Sequence, residues 1–350
     1  MVILLCLINR TNVSEFFSNY HNVLDKNKFQ SHQIWNADET GLSTVHVPPR
    51  VFAEKGTKQV GGMTSAERGQ NVTMIACINA VRNSIPPMFI FPRVNFKQHM
   101  LKGAPPGSVG AANLSGWSNE KIFLQFFNHF IAHAKPNLTE KHLLIFDNHE
   151  SHISIPLIEK AKECGVVILT IPPHISHKLQ PLDKSVCGPF KSYYNTATYD
   201  WMNSPENAAK PVTIYEVAEL AGRAYDLAFV PKHITNGFRG TGIVPLNSEI
   251  FSDHDFLSFS VTDRDLPSVS NEIATEKSPL PVNSEENTNN VDPQLTSHTS
   301  GSNNIGRITP EVIRPFLKAG ERKTNVKRRR LGKSRILTDT PQKMEIEATK

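Results

Sequence analysis

The sequence lacks the features of a disulfide-stabilised or membrane-embedded protein. Its 350 residues include only four cysteines, at positions 6, 77, 164 and 187, and none stands at CxxC-type spacing. This pattern indicates neither a disulfide framework nor a zinc ribbon, and it suits a reducing compartment. The apolar start, MVILLCLINR, is too short for a membrane span and has no basic leader. We therefore expect a buried strand or a frayed end there, and no membrane partner.

An excess of one charge is also missing from most of the chain. The formal net charge is +5, but residues 1–260 carry 23 basic and 21 acidic side chains. A uniformly basic surface therefore cannot be the basis for binding a polyanion. Any binding of nucleic acid must depend on local patches or on metal ions.

Large apolar residues become scarce near the C-terminus. Residues 258–350 are rich in Ser, Asn, Thr, Glu and Pro, a composition that cannot bury enough apolar surface to offset chain entropy. We predict a disordered polar tail. Within it, residues 321–335 hold eight basic side chains and one acidic one, centred on Lys327, Arg328, Arg329 and Arg330 and continued by Lys333 and Arg335. This basic cluster predicts a nuclear localisation signal or a phosphate-binding patch, and a solvated charged linker is the alternative.

Three aspartates stand in the most informative segments: Asp38 in IWNADETG, Asp147 in LLIFDNHESH and Asp183 in PPHISHKLQPLD. The apolar run before Asp147 is typical of a buried central strand whose carboxyl end carries a functional group. A shorter run precedes Asp38, and Pro181 just before Asp183 suits a helix start. We therefore expect each carboxylate at a strand end or a helix start.

Carboxylates that converge from separate elements are suited to binding hard cations. Mg²⁺ prefers oxygen ligands, and phosphodiester chemistry by two metals requires several carboxylate oxygens at one point. A lone aspartate is more often an exposed or capping residue. The apolar lead-ins favour a site.

The periodicities predict an α/β arrangement. An amphipathic helix is expected at 12–25, with strands near 33–38, 50–54, 71–79 and 87–91. The loop from Val94 to Gly116 is a candidate substrate groove. An aromatic stripe at 118–135 predicts a helix packed on the core. A parallel β-α-β unit is expected next, made of a strand to Asp147, a helix at 155–164 and a strand at 166–171. Helices follow Asp183, and one of them begins after a capping box of Thr213 and Glu216.

The chain resembles the pogo/Tigger branch of the DDE superfamily, the transposase-derived relatives of the centromere protein B and jerky families. Besides the three aspartate segments, the resemblance is carried by AEKG, SAERGQNVT, PPMFIFP and GFRGTGIVPLN, between about residues 10 and 250. It implies a ribonuclease-H-like mixed sheet flanked by helices, in which Asp38, Asp147 and Asp183 bind two Mg²⁺ or Mn²⁺ ions for DNA cleavage and strand transfer. The division we expect is a helical lead-in at 1–30, a catalytic domain at 31–257 and a polar tail at 258–350. Asn148 follows the second aspartate where many relatives have Gly, and we interpret it as neutral for activity.

Other polar residues in these segments have weaker assignments. His149, His152, His174 and His177 surround the acids, but without cysteines at ligand spacing a zinc site is the less favoured interpretation. Glu39 points to the opposite face of its strand from Asp38, which favours a structural role. Five basic residues are candidates for contacts with DNA phosphates: Lys55, Lys58, Arg68, Lys178 and Lys184.

Three hypotheses stay open. The first is a nuclear, metal-dependent DNA endonuclease, with DNA and a nuclear import receptor as partners and a homodimer as a possible assembly. The second is a catalytically silent, host-adopted protein that binds DNA or chromatin. The relatives carry an upstream helix-turn-helix module, and a sequence without it is expected of a fragment, an alternative gene model or a host-adopted domain. The third, cleavage of RNA–DNA hybrids, has only the shared fold behind it.

The basic cluster leads to a first prediction. Replacing Lys327, Arg328, Arg329 and Arg330 with alanine should move a large fluorescent fusion from the nucleus to the cytoplasm, because an import receptor reads accessible positive charge. The same variant should have a flatter salt dependence of DNA binding, since fewer counterions are released. Unchanged nuclear accumulation would show that the cluster is a solvated linker or that another signal dominates.

Overall fold

One mixed β-sheet forms the centre of the protein. The computed structural model describes residues 9–46, 69–149, 152–173, 175–208, 210–260 and 333–339. The strands are β1 (Ile34–Ser43), β2 (Asn71–Asn79), β3 (Ser84–Phe91), β4 (Val109–Ala112), β5 (His142–Asp147) and β6 (Val166–Ile171). They lie in the order β4-β3-β2-β1-β5-β6.

The central strand, β1, changes the direction of pairing in the sheet. It pairs antiparallel with β2 and parallel with β5, and its residue Asn36 lies opposite Ile145 of β5. Strands β2 and β3 are antiparallel, whereas β3–β4 and β5–β6 are parallel. Three consecutive antiparallel strands followed by a parallel β-α-β unit is the ribonuclease-H-like order. The expected fold class is therefore confirmed.

Helices cover both faces of the sheet. Their bounds are α1 (Arg10–Asn27), α2 (Glu120–Ala134), α3 (Ile155–Cys164), α4 (Ser176–Leu179), α5 (Cys187–Asn203), α6 (Val217–Ala228), α7 (Pro231–Gly240) and α8 (Asp253–Ser260), with a π-helical turn at Leu182–Val186 directly before α5.

The alternation of side chains along each strand divides the core into two layers. On one face, Ile34 and Leu42 of β1 pack with α1, α5 and α6, which contribute Phe16, Phe190 and Leu220. On the other face, Trp35 and Ala37 of β1 and Phe146 of β5 pack with the phenylalanines of α2 and with Ile158 of α3. Successive residues of a strand point to opposite faces, so Asn36 and Asp38 share the first face and Glu39 belongs to the second. This places the polar residues of β1 in separate environments.

A short C-terminal segment, residues 333–339, extends the sheet beyond β6. Ile336 forms an antiparallel bridge with Leu169, the amide of Thr170 donates to the carbonyl of Arg335 at 2.9 Å, and the amide of Leu337 donates to Ile168 at 3.0 Å. The Leu337 side chain is fully buried in the second core layer. An edge strand with unpaired backbone groups readily takes up another extended segment, and here the chain supplies its own.

Several details differ from the sequence-based expectations. Asp38 lies in the middle of β1, because the strand continues to Ser43 through its pairing with β2. The expected loop from Val94 to Gly116 contains β4, whose small residues pair with β3. The tail expected to be disordered from residue 258 includes the end of α8 and the docked residues 333–339. The predicted strand at 50–54 lies outside the described residues.

Other expectations agree with the observed elements. The helix at 155–164 and the strand at 166–171 have the predicted bounds, and the predicted helices at 12–25 and 118–135 correspond to α1 and α2. Within the expected lead-in at 1–30, helix α1 packs in the first core layer.

The docked segment leads to a second prediction. Leu337→Ala should weaken docking by about 2–4 kcal/mol, the usual cost of removing a buried leucine side chain. If the docking free energy is smaller than this cost, the segment should detach completely. Hydrogen exchange at the Thr170 amide should then be faster, because that group loses its partner on Arg335. The half-buried neighbour provides the control, Thr338→Ala. Equal exchange rates at Thr170 in the wild type and in Leu337→Ala would contradict the docking.

Candidate metal centre

Three side chains form a compact group of possible metal ligands on the first face of the sheet. Asp38 comes from β1, Asp183 from the π-helical turn and Cys187 from the first residue of α5. Each offers one ligand atom, and these atoms all lie within 4.8 Å of one another. Asp183 is exposed, Asp38 is partly buried and Cys187 is buried. The group is therefore open to solvent on the Asp183 side and closed on the Cys187 side.

A buried amide fixes the relative positions of the segments that carry the acids. Asn36 is fully buried, its Nδ2 donates to the carbonyl of Ile145 at 3.0 Å, and its Oδ1 accepts from the amide of Leu182 at 3.0 Å. Asn36 is two residues before Asp38, Ile145 is two before Asp147, and Leu182 directly precedes Asp183. One side chain thus connects all three acid-bearing segments near their functional ends.

Negative charge is crowded at Asp38. Burial raises the pKa of this carboxyl well above its usual range, and the carboxylates of Asp183 and then Asp147 raise it further. The amide of Glu39 opposes this rise by donating a hydrogen bond. A proton or a cation at Asp38 relieves the repulsion, so the site is suited to holding positive charge.

Asp147 has a different environment, although it also acts electrostatically on Asp38. Its Oδ1 accepts a hydrogen bond from His152 Nδ1 at 2.6 Å, and His152 Nε2 donates to Glu39 at 2.8 Å. The His152 ring stacks on Phe123 with centroids 4.1 Å apart. Although burial opposes the charge, the two carboxylates raise the pKa of His152 to about 9. Since both ring nitrogens donate to carboxylates, His152 is an imidazolium that holds Asp147, at the end of β5, and Glu39 of β1.

The donor set fits a divalent cation. Oxygen ligands around Mg²⁺ lie at about 2.0–2.1 Å from the ion, so two of them are separated by roughly 3–4 Å. The Asp38 and Asp183 oxygens lie within 4.8 Å of each other, close to that separation. In the part of the chain that the structure describes, Asp147 is outside this tight group but near enough to raise the pKa of Asp38.

The basic residues expected to contact phosphates have different positions. Lys184 is exposed beside Asp183, and its aliphatic part lies against Gly240. Lys178 forms an ion pair with Asp255 at 2.8 Å, so its charge is already compensated within the fold. Lys55, Lys58 and Arg68 lie outside the described residues.

Two members of the C-terminal basic cluster lie in the docked segment. Lys333 is exposed, and its carbonyl accepts a hydrogen bond from Asn148 Nδ2 at 3.4 Å, next to Asp147. Arg335 is partly buried and pairs with Thr170 through its backbone. Residues 327–330 lie outside the described residues, as does His174.

Among the described residues, His149 and His177 form no metal-ligand group with His152. His152 bridges two carboxylates, and burial with the charge of Lys178 lowers the pKa of His177. Glu39 accepts from His152 on the second face of the sheet, which agrees with its expected structural position.

Two residues of the site, Cys187 and Asn36, and the bridge that His152 forms were missed by sequence reasoning. Cys187 follows Asp183 by four positions, a spacing that places two residues on one side of a helix, and this signal could have been used. Asn36 stands two residues before Asp38, between the apolar residues Trp35 and Ala37, which could have marked it as a buried connector. The bridge through His152 had no such signal, because Glu39 and His152 are 113 positions apart.

Comparison with known proteins gives a family match. Residues 69–238 match the family described as DDE superfamily endonuclease. This match confirms the resemblance to the DDE superfamily that the sequence motifs indicated, and the matched range includes Asp147, Asp183 and Cys187.

A curated relative matches part of the chain. The "MFS-type transporter clz9" of Cochliobolus lunatus is 30% identical over 225 residues, covering 62% of this chain and 24% of the relative. The chain thus spans about a quarter of that relative's length. Among the helices that the structure describes, none is both long and apolar enough to span a membrane.

Solved transposase structures resemble the chain at low identity. The Mos1 transposase paired-end complex with left transposon end is 12% identical with a TM-score of 0.38, covering 63% of each chain. The catalytic domain of Mos1 mariner transposase is 12% identical with a TM-score of 0.31, covering 64% of this chain and 96% of that one. The Mos1 mariner paired end complex with Mn is 14% identical with a TM-score of 0.37, covering 70% and 65%.

The His152 bridge leads to a third prediction, on the pH dependence of stability without metal. The folded-state pKa, about 9, is above the ordinary 6.5, so the stabilisation is complete below about pH 6.5 and is lost as pH rises through about 9. In chelator, the free energy of unfolding should fall by roughly 3 kcal/mol more in the wild type than in His152→Asn between these limits.

A surface pair provides the control for this measurement. His32 contacts Glu140 at 3.3 Å with both side chains about half exposed, so His32→Asn should leave the pH dependence nearly unchanged. Parallel pH profiles for the wild type and His152→Asn in urea denaturation would refute the charged bridge.

Proposed function

We propose that this chain cleaves DNA phosphodiester bonds with divalent cations held by Asp38, Asp183 and Asp147. The proposal starts from the match to the DDE superfamily endonuclease domain. The observation that supports this most is the approach of the Asp38 and Asp183 carboxylates to a distance suited to one cation, on a surface open to solvent. Two Mg²⁺ or Mn²⁺ ions supply activation of the attacking oxygen and stabilisation of the leaving oxygen.

Each acid has a separate task in this proposal. Asp38 and Asp183 would hold a cation, whose charge would offset the burial and the carboxylate repulsion that raise the Asp38 pKa. Asp147 supplies the further carboxylate, and His152 holds one of its oxygens, so that its orientation is fixed before metal binds. Asn36 positions the three segments and does not contact the reacting atoms.

DNA is the proposed substrate and partner. The domain family comprises endonucleases. Contacts with DNA phosphates are proposed for the exposed Lys184, next to Asp183, and for the exposed Lys333, whose carbonyl accepts from Asn148. The basic cluster at 321–335 supports the proposal of nuclear import, and a homodimer is a further proposal for the active form. A catalytically silent DNA-binding protein is the alternative, and the same experiment distinguishes the two.

The fourth prediction tests the metal-holding pair. With supercoiled plasmid as substrate, the wild type should nick DNA in Mn²⁺ or Mg²⁺ and not in chelator. Asp183→Asn and Asp38→Asn should each lower the rate by about a hundredfold or more, because loss of one anionic ligand removes charge stabilisation at the metal. Asp147→Ala should lower both the rate and the calorimetric affinity for Mn²⁺.

An exposed aspartate on the helix that follows the site provides the matched control. Asp200 lies near the end of α5, and Asp200→Asn should cleave at the wild-type rate. If the wild type binds DNA but does not cleave it in either metal, the silent alternative is correct. Equal cleavage by the wild type and Asp183→Asn would refute the assignment of the acids.

A further inference from the structure

Cys187 gives the candidate metal centre a ligand that does not belong to an all-oxygen set. Its thiol lies within 4.8 Å of ligand atoms on Asp38 and Asp183, and its side chain is 5% exposed. A sulfur within 4.8 Å of two carboxylate oxygens has no role in binding Mg²⁺, which takes oxygen ligands. Sulfur instead favours borderline and soft cations such as Zn²⁺ and Cd²⁺.

The local backbone explains why the thiol is near the acids. The π-helical turn ends with the Cys187 amide donating to Leu182, and Asp183 and Cys187 lie on consecutive turns of one continuous helical path. The same turn is held at its start by Asn36 through the Leu182 amide. The position of the sulfur relative to Asp38 is therefore set by the contact that also positions Asp183.

We propose that Cys187 is a metal-selecting ligand, so that this centre binds a thiophilic divalent cation through Asp38, Asp183 and Cys187 and binds a hard cation through the carboxylates alone. The proposal rests on the proposed function only in taking Asp38 and Asp183 as the metal-holding pair. When the thiophilic cation binds, the S–H bond of Cys187 breaks, a metal–sulfur bond forms and one proton passes to solvent.

The consequence for activity is competition at one place. A thiophilic cation in this centre has three protein ligands, the two carboxylates and the thiolate. It therefore occupies Asp183, on the exposed side, which the hard cation also needs. Low concentrations of Zn²⁺ or Cd²⁺ should therefore displace Mg²⁺ from the pair.

The fifth prediction uses Cd²⁺ as the probe with the full chain. Titration with Cd²⁺ should produce a thiolate-to-cadmium charge-transfer absorption in the near ultraviolet, with one proton released for each ion bound. Cys187→Ser should lose this absorption and bind Cd²⁺ about tenfold or more weakly, because removal even of an outer partner of a metal ligand costs that much. The affinity for Mg²⁺ should change far less than the affinity for Cd²⁺.

Two further variants separate this centre from other thiols. Cys164→Ser removes the partly buried cysteine of α3 and should keep the absorption, whereas Asp183→Asn should lower the Cd²⁺ affinity although no thiol is lost. Cys187→Ala repeats the test with an apolar replacement, and near-ultraviolet circular dichroism establishes that each variant is folded.

The outcomes keep the two proposals apart. An absorption that persists in Cys187→Ser and Cys187→Ala, or an equal loss of Cd²⁺ and Mg²⁺ affinity, overturns the role of Cys187 while leaving Mg²⁺-dependent cleavage untouched. A Cys187-dependent absorption in a protein that does not cleave DNA supports the metal centre and removes the nuclease.

Discussion

The buried amide of Asn36 is the contact on which the candidate centre depends. Its donor and its acceptor both point into the protein, where an unpaired polar group is costly, so each partner is held strictly in place. Through Ile145 and Leu182 it fixes the end of β5 and the turn before α5 against β1. The carboxylates can therefore be crowded together without pushing their segments apart.

The clustered carboxylates near β1 have two different electrostatic environments. The imidazolium of His152 donates to both Asp147 and Glu39, offsets one of their two negative charges, and is itself stacked on Phe123. On the first face, burial and then the nearby carboxylate of Asp183 raise the pKa of Asp38. Asp147 and Glu39 share a cationic partner in His152, whereas Asp38 and Asp183 crowd their negative charges together. This contrast indicates that an external cation would bind beside Asp38 and Asp183.

The sequence predicted the elements whose signals are local. The bounds of α3 and β6 follow from apolar periodicity and from a glycine at the helix end, where Gly165 has a φ of 75°. The length of β1 beyond Asp38, the pairing of β4 and the docking of residues 333–339 depend on partners distant in the chain, which no local pattern reports. At the centre, the acids were found as motifs, whereas Cys187 and the His152 bridge arise from packing between segments.

The docked C-terminal segment also attaches the chain to the folded part on both sides of residues 261–332. Residues 9–260 hold one end of the intervening stretch through α8, and β6 holds the other end through Ile336 and Leu337. A single proteolytic cut between residues 260 and 333 would leave two fragments joined by β-pairing and a buried leucine instead of by a peptide bond. Such fragments should co-purify as a non-covalent complex, and a synthetic peptide with the 333–339 sequence should compete for the edge of β6.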